Sequence, residues 1–340
     1  MLQHIVLFCI DRFRGERSLA AIDHLLNGKK TAQTLQDSKW YNVSRLFGTV
    51  PIDRSRLLHV AHELETNGFI YQTDEHIYDV TSSGKKELRH FVFPPYIDGW
   101  KYMNEASLFW KRLSLLIQAM ANVIHRTSFE PIHRDERIQS FVKRWLFQHK
   151  HIQAIARSLY EEMYELLSQV EEKDANIFVW RLTSHERIGW TNGQIAYALK
   201  EEEIAILLSF QNALHFILEM TEQEKEKFPL LYSLREQKRA QLTSSAQKTY
   251  KLLKEGYSLE QIVELRGLKK GTIEDHIVEI ATYIPSFVTA PFLEEEKRKR
   301  IIQQAQKLQT KKLRAIKEVL QDVSYFEIRL ALARWDREDV

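Results

Sequence analysis

The sequence predicts a mainly α protein: an N-terminal winged helix with a small β-hairpin, an all-helical middle domain, and a C-terminal helix-turn-helix followed by a long basic helix. Three observations predict it. Apolar residues recur at helical spacing over most of the chain, two short aromatic and β-branched runs flank Asp74, and Gly, Pro or Asn-Gly steps interrupt the pattern at few places.

At 340 residues the chain exceeds one typical domain. With 44% hydrophobic residues, 28% charged residues, 11 Gly and 7 Pro, it has the composition of a folded chain with short loops. The net charge of +3 is too small to attract a polyanion by itself, so a nucleic-acid surface depends on where the 49 basic residues sit. The single cysteine, Cys9, rules out an internal disulfide and a multi-cysteine zinc site. It lies in the apolar run Ile5 to Ile10, which is too short for a membrane span and is followed by Asp11-Arg12-Phe13-Arg14 in place of a small-residue cleavage site. A cytoplasmic, nucleoid-associated location is expected, with no membrane partner.

The first ninety residues read as three helices and a hairpin. Leu19, Ile22, Leu25 and Leu26 follow a helical period that Asn27-Gly28 closes, ahead of the basic pair Lys29 and Lys30. A second helix follows. Asp53 is placed to cap a third, with Leu57, Val60, Ala61 and Leu64 inward, Arg54 and Arg56 in its first turn, and Asn67-Gly68 as its stop. Phe69 to Tyr71 and His76 to Thr81 then read as strands joined by a turn at Thr73-Asp74-Glu75. Adjacent prolines in Phe93-Pro94-Pro95-Tyr96 place a domain limit near residue 97. From 98 to 241 helical periods dominate, as in Leu115 and Ala119, Ile138 and Val142, and Leu159 and Met163.

The segment 242–340 carries the densest signal. Ser245 is expected to cap a helix bearing Tyr250, Leu252 and Leu253 that ends at Gly256. Ser258 caps a second, with Leu259, Ile262, Val263 and Leu265 inward, stopping at Arg266-Gly267. A third follows with Ile273, Ile277 and Ile280 inward. In such a motif the third helix enters the major groove with its N-terminal side chains exposed. Lys269, Lys270, Thr272 and His276 are therefore DNA-contact candidates, tempered by Glu274 and Asp275. After Glu294-Glu295-Glu296, the stretch Lys297 to Lys317 holds nine basic residues and no acid. On one continuous helix Arg300, Lys307, Lys311 and Arg314 form a stripe that can track phosphates, beside an apolar stripe of Ile301, Ala305, Leu308, Ala315 and Val319.

The pattern Ser245-Ala246, Thr249, Leu252, Gly256, Ser258-Leu259, Ile262, Arg266-Gly267-Leu268, Thr272-Ile273 and His276-Ile277 resembles the helix-turn-helix appended to bacterial RecQ-family helicases. Ala315-Ile316-Lys317-Glu318, Val323-Ser324-Tyr325, Glu327-Ile328-Arg329 and Leu332-Ala333 are similar to the segment that ends many of those tails. The N-terminal domain resembles the RecQ C-terminal winged helix through Phe47-Gly48, Gly68-Phe69-Ile70, Val80-Thr81 and Gly84. In that family the wing contacts the duplex end, which implies Tyr71, His76 and Tyr78 as contacts and stacking on an opened base pair as the reason. Lys29, Lys30, Arg54 and Arg56 join them as DNA-binding candidates. Over its whole length the order of domains is similar to the YpbB-type bacterial family. That resemblance implies a DNA-binding accessory of a short RecQ-like helicase, acting on duplex ends or junctions in repair or recombination, with the helical middle spacing the two DNA-binding ends.

Chemistry is absent from the pattern. Gly28-Lys29-Lys30-Thr31 lacks the earlier glycine and the Gly-Lys-Ser/Thr order of a phosphate loop, and His59 with His62 lacks the acid and third ligand of a zinc protease. No enzyme activity, metal, cofactor or small-molecule substrate is expected. The alternatives are a helical protein-interaction scaffold and a helix-turn-helix transcription regulator.

Overall fold

The computed structural model describes all residues except 104, 237–241, 334 and 336–340. The expected domain limit at 241 and the chain end at 340 therefore lie outside the described residues. In order, the chain forms α1 (Leu2–Phe13), α2 (Leu19–Leu26), α3 (Ala32–Trp40), α4 (Arg54–Thr66), β1 (Ile70–Asp74), β2 (Ile77–Val80) and α5 (Ser82–Arg89). Then come α6 (Gly99–Tyr102), α7 (Ala106–His125), α8 (Glu136–Gln148), α9 (Ile152–Leu167), α10 (Glu172–Trp180), α11 (Asn192–Leu199), α12 (Glu203–Gln223) and α13 (Pro229–Ser233). The last are α14 (Ser244–Lys254), α15 (Leu259–Arg266), α16 (Lys270–Tyr283), α17 (Glu295–Leu308), α18 (Leu313–Val319) and α19 (Tyr325–Leu332). The fold is mainly α, with a single antiparallel hairpin among the described residues.

These elements cluster into two compact units. A middle unit comprises Met1–Leu2, Gly48–Pro51 and Phe91–Gln237, and a terminal unit comprises Gln3–Phe47, Ile52–His90 and Lys238–Val340. The middle unit is built around α12, whose Ile206, Phe210, Ala213, Leu214 and Ile217 are buried against α7, α9 and α10. By length and composition α12 could cross a membrane, but 61% of its most apolar window is buried inside the protein. Its polar residues hold the segment after the prolines: Asn212 Oδ1 accepts from the Tyr96 amide at 2.9 Å, and His215 Nδ1 from the Asp98 amide at 3.1 Å. Burial, with Lys101 nearby, pushes the His215 imidazole down to about 3, which keeps Nδ1 free to accept.

The terminal unit joins the two ends of the chain. Its first half follows the expected helix stops: Gly28 and Gly68 take φ of 66° and 71°, and Asp53 caps α4 by accepting from the Arg56 amide at 2.8 Å. Two features differ from expectation here. An extra helix, α1, precedes the others; Leu2, Ile5, Val6, Cys9, Ile10 and Phe13 recur at three and four and are buried, a period that the unbroken apolar run Ile5 to Ile10 obscures in the sequence. The hairpin turns later than expected, at Glu75-His76, because Thr73 and Asp74 remain in β1 and His76 supplies the left-handed residue at φ 55°.

The second half is α14 to α19, with α16 at its centre. Helix α16 packs against α14 and α15 as a tri-helical unit, and also against α3 and α19. The Tyr283 hydroxyl donates to the Leu35 carbonyl at 2.9 Å, and Arg329 Nε on α19 donates to Gln36 Oε1 at 2.9 Å. Gln36, Asp37 and Ser38 are thereby buried on α3, with Arg17 bidentate on Asp37 at 2.8 Å for both bonds. The helical middle consequently does not space the two ends, which pack on each other directly.

The long basic helix is also corrected, because it breaks into α17 and α18. Gln309 turns left-handed at φ 49°, and the Thr310 amide returns to the Ala305 carbonyl in a Schellman-type stop. The Glu16 carboxylate holds the break open by accepting from Thr310 Oγ1 at 2.5 Å and from the Lys311 amide at 3.2 Å.

Gly84 in α5 is where the hairpin meets its helix. A Cβ there would lie 2.2 Å from the Phe69 carbonyl oxygen and 2.7 Å from Val80 Cγ1. Gly84→Ala should therefore weaken the terminal unit by about 1–3 kcal/mol in a denaturant titration, the usual cost of overpacking. Gly271→Ala, where nothing lies within 4 Å, should be neutral or stabilising. Equal midpoints for the two variants would contradict this packing.

Candidate nucleic-acid interface

The helix-turn-helix is assembled by caps and by a buried polar knot. Thr243, two residues before the expected Ser245, caps α14 by accepting from the Ala246 amide at 3.2 Å. Ser258 and Gln261 form a capping box on α15, and Gly267 ends it at φ 59°. Of the residues expected inward on α15, Leu265 is instead 61% exposed.

Between the three helices, Arg266 Nη1 donates to the Ser245 carbonyl at 2.8 Å and to Thr249 Oγ1 at 2.5 Å, and Nη2 donates to Ser245 Oγ at 3.0 Å. His276 closes the knot, its Nδ1 lying 2.9 Å from Thr249 Oγ1 and 3.3 Å from Arg266 Nη1. Burial, followed by the Arg266 charge, holds the imidazole below the usual histidine range, so it is neutral there. This corrects the expectation for His276: at 7% exposure it belongs to the core and is not presented to DNA. The same geometry explains why Ser245, Thr249, Arg266 and His276 occur together in the sequence pattern. They hold the motif's helices to one another.

Burial extends along α16. Residues 276–283 are all buried, so its C-terminal two turns cannot lie in a groove. What remains outside is the leading edge. Lys269 and Lys270 are exposed, Thr272 is half-buried, and the Asp275 carboxylate is taken by Arg329 Nη1.

The expected basic stripe is corrected as well, because the break at Gln309 places its members on different elements. Arg300 pairs with Asp322 through bonds of 2.9 and 3.1 Å, and Arg314 with Glu318 at 3.0 Å. Lys311 Nζ turns inward to the Trp40 carbonyl at 2.6 Å, and Lys307 stays exposed at the end of α17. On the N-terminal side Arg54 and Arg56 are exposed in the first turn of α4. Lys29 bridges Asp23 at 3.1 Å, while exposed Lys30 lies within electrostatic reach of Glu279 on α16. In the hairpin Tyr71 is 48% exposed opposite Asp79. Tyr78 shares the other face with Ile70 and Val80 and is half-buried, and the His76 carbonyl accepts from the Leu19 amide at 3.0 Å. Of the cations expected at DNA, those at the α16 leading edge and the start of α4 are exposed.

One feature was not visible in the sequence. A cleft of about 1020 Å³ opens where the ends of α1 and α3 meet the Gln309–Lys311 turn, lined by Arg12, Arg14, Lys39, Trp40, Lys311 and Trp335 among others. Its residues come from both ends of the chain, so only the short clusters Asp11-Arg12-Phe13-Arg14 and Lys39-Trp40-Tyr41 could have hinted at it. Among the described residues no group of three or more His, Cys, Asp or Glu side chains is placed to hold a metal ion.

A family model described as a helix-turn-helix domain matches residues 245–332, which run from the first turn of α14 to the last residue of α19. That match suggests DNA binding. The chain is also similar to the protein YpbB of Bacillus subtilis (strain 168), 36% identical over 339 residues, or 97% of this chain and 96% of the relative. No solved structure matches.

The knot and the leading edge should respond differently to substitution. His276→Ala removes the imidazole that faces the Thr249 hydroxyl and empties a buried core position, and should cost about 1–3 kcal/mol by denaturant titration. Lys269→Glu should shift stability by less than about 0.5 kcal/mol. Equal effects would contradict the division between buried knot and exposed leading edge.

Proposed function

Because the chain belongs to the YpbB family, we propose that it is a DNA-binding accessory of a short RecQ-like helicase in repair or recombination, gripping duplex ends or junctions without chemistry of its own. One observation carries the reading. A single compact unit holds both the hairpin and the helix-turn-helix, and its exposed cations include Lys269, Lys270, Arg54 and Arg56. Lysines at the start of α16 also lie where the helix dipole is positive and backbone amides are unsatisfied, a setting that favours phosphate. Only the first turn of α16 is left for DNA, and the acids Glu274 and Asp275 that follow its lysines favour contact with backbone and duplex shape. Those acids weigh against the transcription regulator. In this reading the segment 98–241 docks the helicase.

A protein-interaction scaffold is the second reading, favoured by an apolar groove of about 660 Å³ on α7, α9 and α10, where Tyr160 and Tyr164 are each 64% exposed. The helicase itself would be the partner that covers it, and DNA affinity would be incidental.

Unwinding of a fork by a RecQ-type helicase without C-terminal domains should speed up when the chain is added. Lys269→Glu with Lys270→Glu should remove that stimulation together with fork binding by fluorescence anisotropy, and flatten the salt dependence by about 0.9 in log–log slope per lost phosphate contact. Stimulation that survives the loss of fork binding favours the scaffold. A wild-type chain that binds no forked, duplex or single-stranded DNA at low salt contradicts the proposal.

A further inference from the structure

The cleft in the terminal unit differs from the basic run of α17 and α18 beside it. Most cations of α17 and α18 are spent on the protein's own groups: Lys297, Arg298, Lys299, Arg300 and Arg314 on carboxylates, and Lys312 and Lys317 on carbonyls. At the cleft rim, by contrast, Arg12 and Arg14 are exposed and neither has a carboxylate partner among the described residues. Arg12 rests on the Phe8 ring at 5.0 Å, and Arg14 is set apart from α1 by a left-handed backbone at φ 48°.

Inside, Lys311 Nζ lies 5.0 Å from the centre of the half-buried Trp335 ring. Two acids also line the space, Asp11 and Glu16. The Glu16 carboxylate is consumed by the Tyr41 hydroxyl at 2.6 Å, Thr310 Oγ1 and the Lys311 amide, so it is buffered by donors and does not confront a ligand. Trp40 is a further oddity of the cleft wall. It is 6% exposed, lines the cleft, and its indole Nε1 is buried without a hydrogen-bond partner, a state that native interiors rarely tolerate.

We propose that this cleft receives the single-stranded part of a DNA substrate, with phosphates on Arg12 and Arg14 and a base against Trp335. Cations that track a backbone beside an aromatic platform are what single-stranded nucleic acid requires, because every base offers a π-face whatever its identity. Size makes the same choice. At about 1020 Å³ the cleft is on the scale of a large ligand pocket, which suits a flexible strand better than a duplex. The inference rests on the DNA-binding reading but assigns a surface distinct from the α16 leading edge. The two together would hold a junction by its duplex and by its loose strand.

The test uses the intact chain with three probes: a fluorescent oligothymidylate, a blunt duplex, and thymidine monophosphate as competitor. Arg12→Glu with Arg14→Glu should weaken oligothymidylate binding about tenfold or more and leave blunt-duplex binding unchanged, with circular dichroism melting as the check on folding. Trp335→Ala should weaken it as well, and Trp335→Phe should restore much of the loss. The proposal fails if the wild type does not bind the oligothymidylate, if the arginine exchange leaves that binding intact, or if it weakens the duplex equally. It also fails if the monophosphate competes at the same concentration as the oligomer, which would make the cleft a free-nucleotide pocket. Cleft-dependent oligothymidylate binding in a chain that ignores duplex and fork would keep this inference and remove the functional reading above.

Discussion

The packing of α16 between α3 and α19 is the constraint on which the terminal unit depends. The Tyr283 hydroxyl reaches the Leu35 carbonyl from one side, and Arg329 reaches Gln36 and Asp275 from the other. Burial of the Tyr283 phenol pushes its ionisation well up, so it remains a donor. Two consequences follow. Helices from opposite ends of the chain share one core, and the third helix of a helix-turn-helix gives most of its surface to that core. A motif whose usual virtue is a protruding reading helix here keeps only the first turn of that helix for a partner.

Electrostatics follow from the same arrangement. Net charge is small, and the basic run that dominates the C-terminal sequence is largely neutralised by nearby carboxylates and carbonyls, through pairs that are individually weak at the surface. Cations that remain open to a polyanion include those at separate places: the α16 edge, the first turn of α4, and the rim of the cleft. A surface of that kind suits a bent or forked target better than a straight groove, since each patch can take a different part of the substrate.

Local signals were legible and long-range ones were not. Asp53, Ser258 and Gly267 act where capping and turn rules place them, because those rules involve neighbours within four residues. The mainly α class, the wing and the tri-helical motif were readable for that reason. Helix α1 escaped because its period of Leu2, Ile5, Val6, Cys9 and Phe13 is masked by an unbroken apolar run, and the break at Gln309 escaped because Glu16, almost three hundred residues away, stabilises it. His276 was misplaced by the same limit. Spacing puts it on the leading half of the third helix, and only the contacts with Thr249 and Arg266 reveal that it faces inward. The exposed pairs Lys269-Lys270 and Arg54-Arg56 could be named from sequence, whereas the cleft needed both chain ends in one unit.

Hydrogen exchange on the intact chain, followed by mass spectrometry in increasing denaturant, tests the shared core most directly. Segments that unfold as one cooperative unit lose protection together. Amides of α3 and α16 should become exchangeable at the same denaturant concentration and with the same opening free energy. If α16 keeps its protection after α3 has lost it, the two ends of the chain are separate modules, and the account of a helix-turn-helix built into a common core is wrong.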